Sequence, residues 1–230
     1  MVDLSYVAVL MARPWRTLAT VATGEGALEL RQRGDTDFLI VIGGRVLMTS
    51  ASRSSEEALS TLAFEALRAR AAPRVLIGGL GMAFTLRAAL DVLPAAASVV
   101  VAELNPEILG WCRGPLGPST RHAVDDPRVT VELADVARVI ADAAPGSLDA
   151  ILLDLYEGPN AASQEADDPF YGPAALARTR AALAPGGILG VWSEDADAPF
   201  AKRFAAAGFT VTTHRIGAGG RRHLVYLGRR

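Results

Sequence analysis

At 230 residues, half of them apolar, the chain can bury one full core and carry a small appendage. Its formal net charge of −2 excludes a global pull toward nucleic acid or an anionic membrane. The single cysteine, Cys112, excludes an intrachain disulfide; with nothing beside it to lower its pKa, it reads as a small core hydrophobe.

The chain opens with a short apolar run over 6–12, preceded by Asp3 rather than a basic segment. Such a run is too short to span a bilayer and makes a poor signal peptide, so a cytoplasmic protein is expected. Strands rich in β-formers follow over 17–23, 27–33, 38–42 and 45–49, with Gly43-Gly44 marking a tight hairpin. Ser54 and Glu57 form a capping-box pattern before a helix running toward Ala71, stopped by Pro73.

From residue 74 the pattern changes. Apolar strands over 74–77, 98–103, 129–133, 150–154 and 188–192 alternate with helices over 85–93, 106–112, 136–143 and 173–183. These strands are continuous apolar runs, as a parallel sheet covered on both faces requires. Asn105-Pro106 is a helix start, and Gly186-Gly187 turns the chain into the fifth strand. A helix over 199–207 and strands over 210–216 and 223–227 close the sequence. The reading is α/β: a doubly wound domain over 53–230 behind a small N-terminal β region over 1–52.

In such sheets ligands bind at the carboxyl ends of the strands. Those ends carry Gly78-Gly79-Leu80-Gly81, Glu103, Asp135 and Asp154. Three glycines between a strand and a helix suit close approach of a nucleotide, and a carboxylate ending the second strand suits a ribose diol. Glu103 lies 22 residues past Gly81, which also fits a nicotinamide dinucleotide fingerprint. The third glycine of that fingerprint falls on Phe84, however, and no Gly-Lys-Ser/Thr follows for a triphosphate loop. An adenosine cofactor without a pyrophosphate, such as S-adenosylmethionine, is what remains.

The runs VLIGGLGMAFTLRAAL, VVVAELNPEIL, DDPRVTVELAD, DAILLDLYEGP and ALARTRAALAPGGIL resemble, in order and spacing, the motifs of the spermidine synthase (polyamine aminopropyltransferase) family, within the class I S-adenosylmethionine-dependent methyltransferase superfamily. The resemblance spans most of residues 27 to 195 and implies a Rossmann-like methyltransferase fold with an N-terminal β element. It implies that Glu103 binds the ribose, that Asp135 faces the adenine, and that Asp154 sits beside the reacting centre. Gly78, Gly79, Gly81 and Met82 would complete the cofactor loop. Three departures stand out. Met82 occupies the place of the family's aspartate that holds the aminopropyl amine of decarboxylated S-adenosylmethionine. Glu157 replaces the second aspartate of its D-x-x-D motif. The family's glutamine, tyrosine and histidine are not apparent in SASRSSEEALSTLAFEAL.

Methyl and aminopropyl transfer are both displacements at a carbon bonded to sulfonium, so the protein mainly aligns nucleophile and carbon. An amine nucleophile also loses a proton, for which a carboxylate serves. Asp154 is the candidate, with Tyr156 and Glu157 beside it as further catalytic candidates. The loop over 155–172 carries Glu157, Glu165, Asp167 and Asp168 and no basic residue. It is long for a strand-to-helix connection, as lids often are, and its charge would steer a cationic acceptor. His122, His214 and His223 have no metal-ligand spacing with each other or with Cys112, and no metal is expected. The tryptophans Trp15, Trp111 and Trp192 read as core or interface, Trp192 at a strand end near the pocket. The arginines gathered at the C-terminus read as a solvated surface.

The expected function is transfer from S-adenosylmethionine, by methyl transfer to a small, amine-containing acceptor. Aminopropyl transfer from decarboxylated S-adenosylmethionine is the first alternative, and a non-catalytic nucleoside-binding or dimerisation module the second. A small-molecule acceptor, no nucleic acid, no membrane and a homodimer complete the expectations.

Overall fold

The structure is a computed structural model that describes residues 13–156, 158–159, 167–217 and 222–230. The apolar run over 6–12 and the residues Glu157, Glu165 and Arg221 lie outside the described residues. The chain divides between Ser52 and Arg53 into two compact units.

The first unit is a four-stranded antiparallel meander: β1 (Arg16–Thr23), β2 (Gly26–Arg33), β3 (Asp37–Ile42) and β4 (Arg45–Thr49), paired in that order. Alternation puts Leu28 and Leu30 of β2 on a buried face, while Glu29 pairs with Arg31 at 2.6 Å. Gly43 and Gly44 both take positive φ, 52° and 83°. A two-residue turn of that kind matches the strand twist, which is why the chain reverses there.

The second unit opens with helix α1 (Ser54–Glu65) and builds a seven-stranded sheet. Its strands are β5 (Arg74–Gly78), β6 (Ser98–Glu103), β7 (Val129–Leu133), β8 (Leu148–Leu153), β9 (Leu183–Ser193), β10 (Thr210–Ile216) and β11 (His223–Arg229). The helices between them are α2 (Phe84–Val92), α3 (Pro106–Arg113), α4 (Val136–Asp142), α5 (Pro173–Ala182) and α6 (Ala198–Ala206). The spatial order is β7-β6-β5-β8-β9-β11-β10, with β11 antiparallel to its neighbours and β7 through β9 parallel. The order reverses between β5 and β8, so the ligand crevice of a doubly wound sheet belongs at their carboxyl ends.

The central strands β5 and β8 are buried on both faces, in keeping with their unbroken apolar runs. One face meets α4, α5 and α6 through a cluster that includes Val136, Leu153, Leu176, Val191, Phe200 and Tyr226. On the other face α1 packs against α2, β9 and β11. At Gly190 of β9 an added Cβ would meet Leu59 of α1 at 2.9 Å, so β9 and α1 are in close contact there.

Three local expectations are corrected. Ser54 does not cap α1: the helix begins there, its N-cap is Arg53 without a side-chain cap bond, and Glu57 instead pairs with Arg53 at 3.2 Å. The same helix ends at Glu65 and gives way to turns before Pro73. Gly186-Gly187 lies within β9, which already pairs at Leu183 with Leu148 and resumes register at Ile188 opposite Ala150. The glycines form an irregularity in a strand rather than its start. Among the described residues no helix is long and apolar enough to cross a membrane.

Candidate functional site

The loop after β5 is pinned by its backbone before any side chain enters. Gly79 N–H donates to Ala102 O and Asp154 N–H donates to Gly78 O, each at 2.9 Å, extending the ladders on both sides of β5 by one rung. Gly79 has φ of 87°, and a Cβ there would stand 2.4 Å from the Asp154 carbonyl oxygen. Only glycine lets the loop cross the end of β8 so closely. Gly78 is packed against Val136, whose methyl lies 2.8 Å from where its Cβ would be. Gly81 takes φ of 50°, and Ala83, the N-cap of α2, is left-handed as well at 62°.

Glu103 ends β6 and is buried. Its two oxygens are used separately: Oε2 accepts from Leu80 N–H at 3.0 Å and Oε1 from Asn105 N–H at 2.8 Å. A carboxylate has about four acceptor positions, so each oxygen keeps one for a diol. Asp135 is exposed at the head of α4, where it accepts from Ala137 N–H at 2.8 Å. It is an N-cap whose second oxygen is not used by that bond. Met82 is buried in the interior. Cys112 donates to Gly81 O at 3.3 Å, and burial, then the nearby Glu103, push its thiol up to about 12. It is protonated at neutral pH and no nucleophile.

Asp154 follows β8 at the switch point. Its Oδ2 accepts from the Thr85 hydroxyl at 2.5 Å. Burial, and after it the carboxylate of Glu56, push Asp154 up to about 7, while the Thr85 hydrogen bond opposes them. Glu56 stands in the first turn of α1, buried, with Ser55 Oγ donating to its Oε2 at 2.6 Å. Ser55 Oγ is 3.5 Å from Nδ1 of His223, the first residue of β11. The His223 ring meets Trp192 edge-on at 4.9 Å between centroids, and the Trp192 Nε1 is buried without a partner among the described residues. Tyr171, just ahead of α5, is also buried with its hydroxyl unpartnered. Burial pushes that phenol up, and Asp168 and Asp154 push it further.

The sequence-derived residues therefore converge in part. Gly78, Gly79, Gly81, Glu103 and Asp154 share one crevice edge, joined by the backbone bonds and by Leu80. Tyr156 is exposed two residues past Asp154, and Glu157 falls outside the described residues. Of the acidic loop, Asp168 is turned inward as a backbone acceptor, taking Phe170 N–H at 2.9 Å and Tyr171 N–H at 2.6 Å. Sequence reasoning missed Thr85, Glu56, Ser55, His223 and Tyr171. Thr85 was legible as the polar residue in the first turn after the glycine loop. Glu56 was not, because its neighbour Glu57 is chemically identical and only the rotation of α1 turns one inward. Among the described residues no group of three or more acidic, histidine or cysteine side chains could hold a metal.

No protein-family model matches the chain, and no curated protein sequence matches it. Solved structures do. The spermidine synthase from Thermotoga maritima superposes with a TM-score of 0.75 at 17% identity, over 93% of this chain and 72% of its own. A spermidine synthase in complex with the transition state analogue AdoDATO gives 0.74 at 15% identity, over 93% and 72%. The fold is spermidine-synthase-like: a Rossmann-like, mostly parallel seven-stranded sheet with a separate small antiparallel sheet.

Proposed function

We propose that this chain transfers an alkyl group from a sulfonium adenosine cofactor of the S-adenosylmethionine type to an amine. What carries the reading is Asp154: a half-buried carboxylate at the switch point, accepting from Thr85 and raised to about 7. A base needs a pKa near the working pH, and a strand-end carboxylate kept only as a cap does not. Glu103 is assigned the ribose diol, Asp135 the adenine amino group through its second oxygen, and the backbone of Gly79 to Gly81 the near edge of the nucleoside. Tyr156, exposed two residues past Asp154, is assigned the acceptor side.

In this reading an amine arriving as ammonium gives one proton to Asp154. Its freed lone pair then forms the N–C bond as the C–S bond breaks. The bonding electrons pass to sulfur, leaving a neutral thioether nucleoside and a protonated product amine. The chain's own contribution is alignment, proton acceptance and exclusion of water.

Aminopropyl transfer from decarboxylated S-adenosylmethionine leads, supported by the spermidine synthases among the fold neighbours. Methyl transfer from S-adenosylmethionine is the second reading, favoured by Met82: no carboxylate stands at that loop position to hold an aminopropyl ammonium or to repel the methionine carboxylate. Calorimetry with S-adenosylmethionine, its decarboxylated form and methylthioadenosine separates them. Tenfold or greater preference for the decarboxylated form, about 1.4 kcal/mol, upholds the first, and the reverse preference upholds the second. Binding of none would refute both and leave a non-catalytic module.

A further inference from the structure

Two hydrogen bonds hold Asp154. Its backbone N–H donates to Gly78 O at 2.9 Å, and its Oδ2 accepts from the Thr85 hydroxyl at 2.5 Å. Among the described residues no other side chain bonds to the carboxylate. Thr85 is itself buried, 3% exposed, in the first turn of α2. Its backbone is fixed from α1, where the fully buried Ser60 donates through Oγ to Thr85 O at 2.7 Å. The Thr85 hydroxyl has one hydrogen to give. Its other acceptor in reach, Glu56 O, is 3.5 Å away, so the hydrogen belongs to Asp154. Helix capping does not explain the contact, because the N-cap of α2 is Ala83, without a side-chain bond.

We infer that Thr85 is a positioning residue for Asp154: its hydroxyl holds the carboxyl group in one orientation and commits Oδ2, leaving Oδ1 to take the proton of the amine. The inference rests on the amine-alkylating reading above and deepens it. A carboxylate free to turn about its last bond would present either oxygen over a broad range of angles. Holding it removes that freedom before the reaction, as the alignment of a base requires. The bond survives the arrival of the proton, because Oδ2 of the neutral acid still accepts from Thr85. It is stronger while Asp154 is charged, so it favours the ionised form and opposes the burial that raises the group. The titratable groups coupled to Asp154 are Glu56 of α1, whose charge raises it, and Tyr171 ahead of α5, whose phenol Asp154 raises in turn. Neither bonds to the carboxylate among the described residues, so the Thr85 contact can be removed singly.

The test uses the full chain with its aspartates isotopically labelled at the carboxyl carbon, the Asp154 signal being the one lost in Asp154→Asn. Titration by NMR gives the midpoint of Asp154, expected at about 7 in wild type. Thr85→Val keeps the shape, removes the hydroxyl and should raise the midpoint by about 0.5–1 pH unit. Thr85→Ser should return it to the wild-type value. Ser60→Ala removes the other buried hydroxyl of the same helix contact; it should lower stability and leave the midpoint in place. Thr85→Ala gives the same readout if Thr85→Val folds poorly. Methylthioadenosine affinity, by calorimetry, should be unchanged in all of them. Turnover is measured with the sulfonium donor that binds more tightly and with 1,4-diaminobutane as acceptor. For Thr85→Val, kcat at pH 7 should fall about tenfold or more with the donor KM little changed. The acid limb of its pH profile should move with the NMR midpoint, and Thr85→Ser should recover both.

A midpoint that does not rise in Thr85→Val, that Thr85→Ser fails to restore, or that moves equally in Ser60→Ala overturns the inference. A raised midpoint with unaltered kcat and pH profile overturns it as well, because the bond would then serve the fold alone. A Thr85-dependent midpoint in a wild type that transfers from neither donor would uphold the holding of Asp154 by Thr85 and refute the transferase reading instead.

Discussion

Asp154→Asn should make the protein more stable at alkaline pH while disabling it. The amide keeps the shape of the side chain and can still accept from Thr85, but it cannot ionise. In the native protein the Asp154 pKa rises from 3.8 to about 7, so the folded state holds its proton where the unfolded chain has lost it. Stability contributed by this group is therefore full below about pH 4 and is lost as pH rises toward 7 and beyond. Three pH units at 1.36 kcal/mol each put the cost of ionised Asp154 on the order of 4 kcal/mol at pH 8. Urea unfolding of both proteins at several pH values between 4 and 8.5 measures it. The mutant is expected to match wild type near pH 4 and exceed it by about 2–4 kcal/mol at pH 8, with the slope on urea unchanged. Turnover should fall roughly 10²-fold or more, with nucleoside affinity little changed. A stability difference that does not grow with pH would refute the reasoning. It would mean that the native site accommodates the ionised carboxylate and that Asp154 is a structural cap.

Glu103→Ala should cost about 2 kcal/mol or more of nucleoside affinity, measured by calorimetry. Because Glu103 also takes the Leu80 and Asn105 N–H groups, Glu103→Gln belongs beside it; unchanged affinity in both would remove the ribose assignment. Gly79→Ala places a methyl 2.4 Å from the Asp154 carbonyl oxygen at φ of 87°, and should cost about 2–4 kcal/mol in equilibrium unfolding. A loss under about 0.5 kcal/mol would show that the loop moves freely over β8.

The sequence by itself determined the order of elements, because continuous apolar runs and glycine turns are local signals. The alternation of strand and helix from Arg74 onward, the reversal at Gly43-Gly44, and the placing of Glu103 and Asp154 at strand ends all followed from spacing of that kind. Where α1 starts and stops was less legible. Ser54 and Glu57 have the spacing of a capping box, yet Arg53 takes the N-cap and engages Glu57, a competition between side chains that spacing does not rank. Only the tertiary structure decided what surrounds Asp154. Glu56 is 98 residues before it in sequence and Thr85 is 69, and they reach the end of β8 because α1 and α2 pack together on one face of the sheet. Burial and the charge of Glu56 raise the pKa of Asp154, and both arise from groups remote in the chain, so no local pattern in DLYEGP could have carried them.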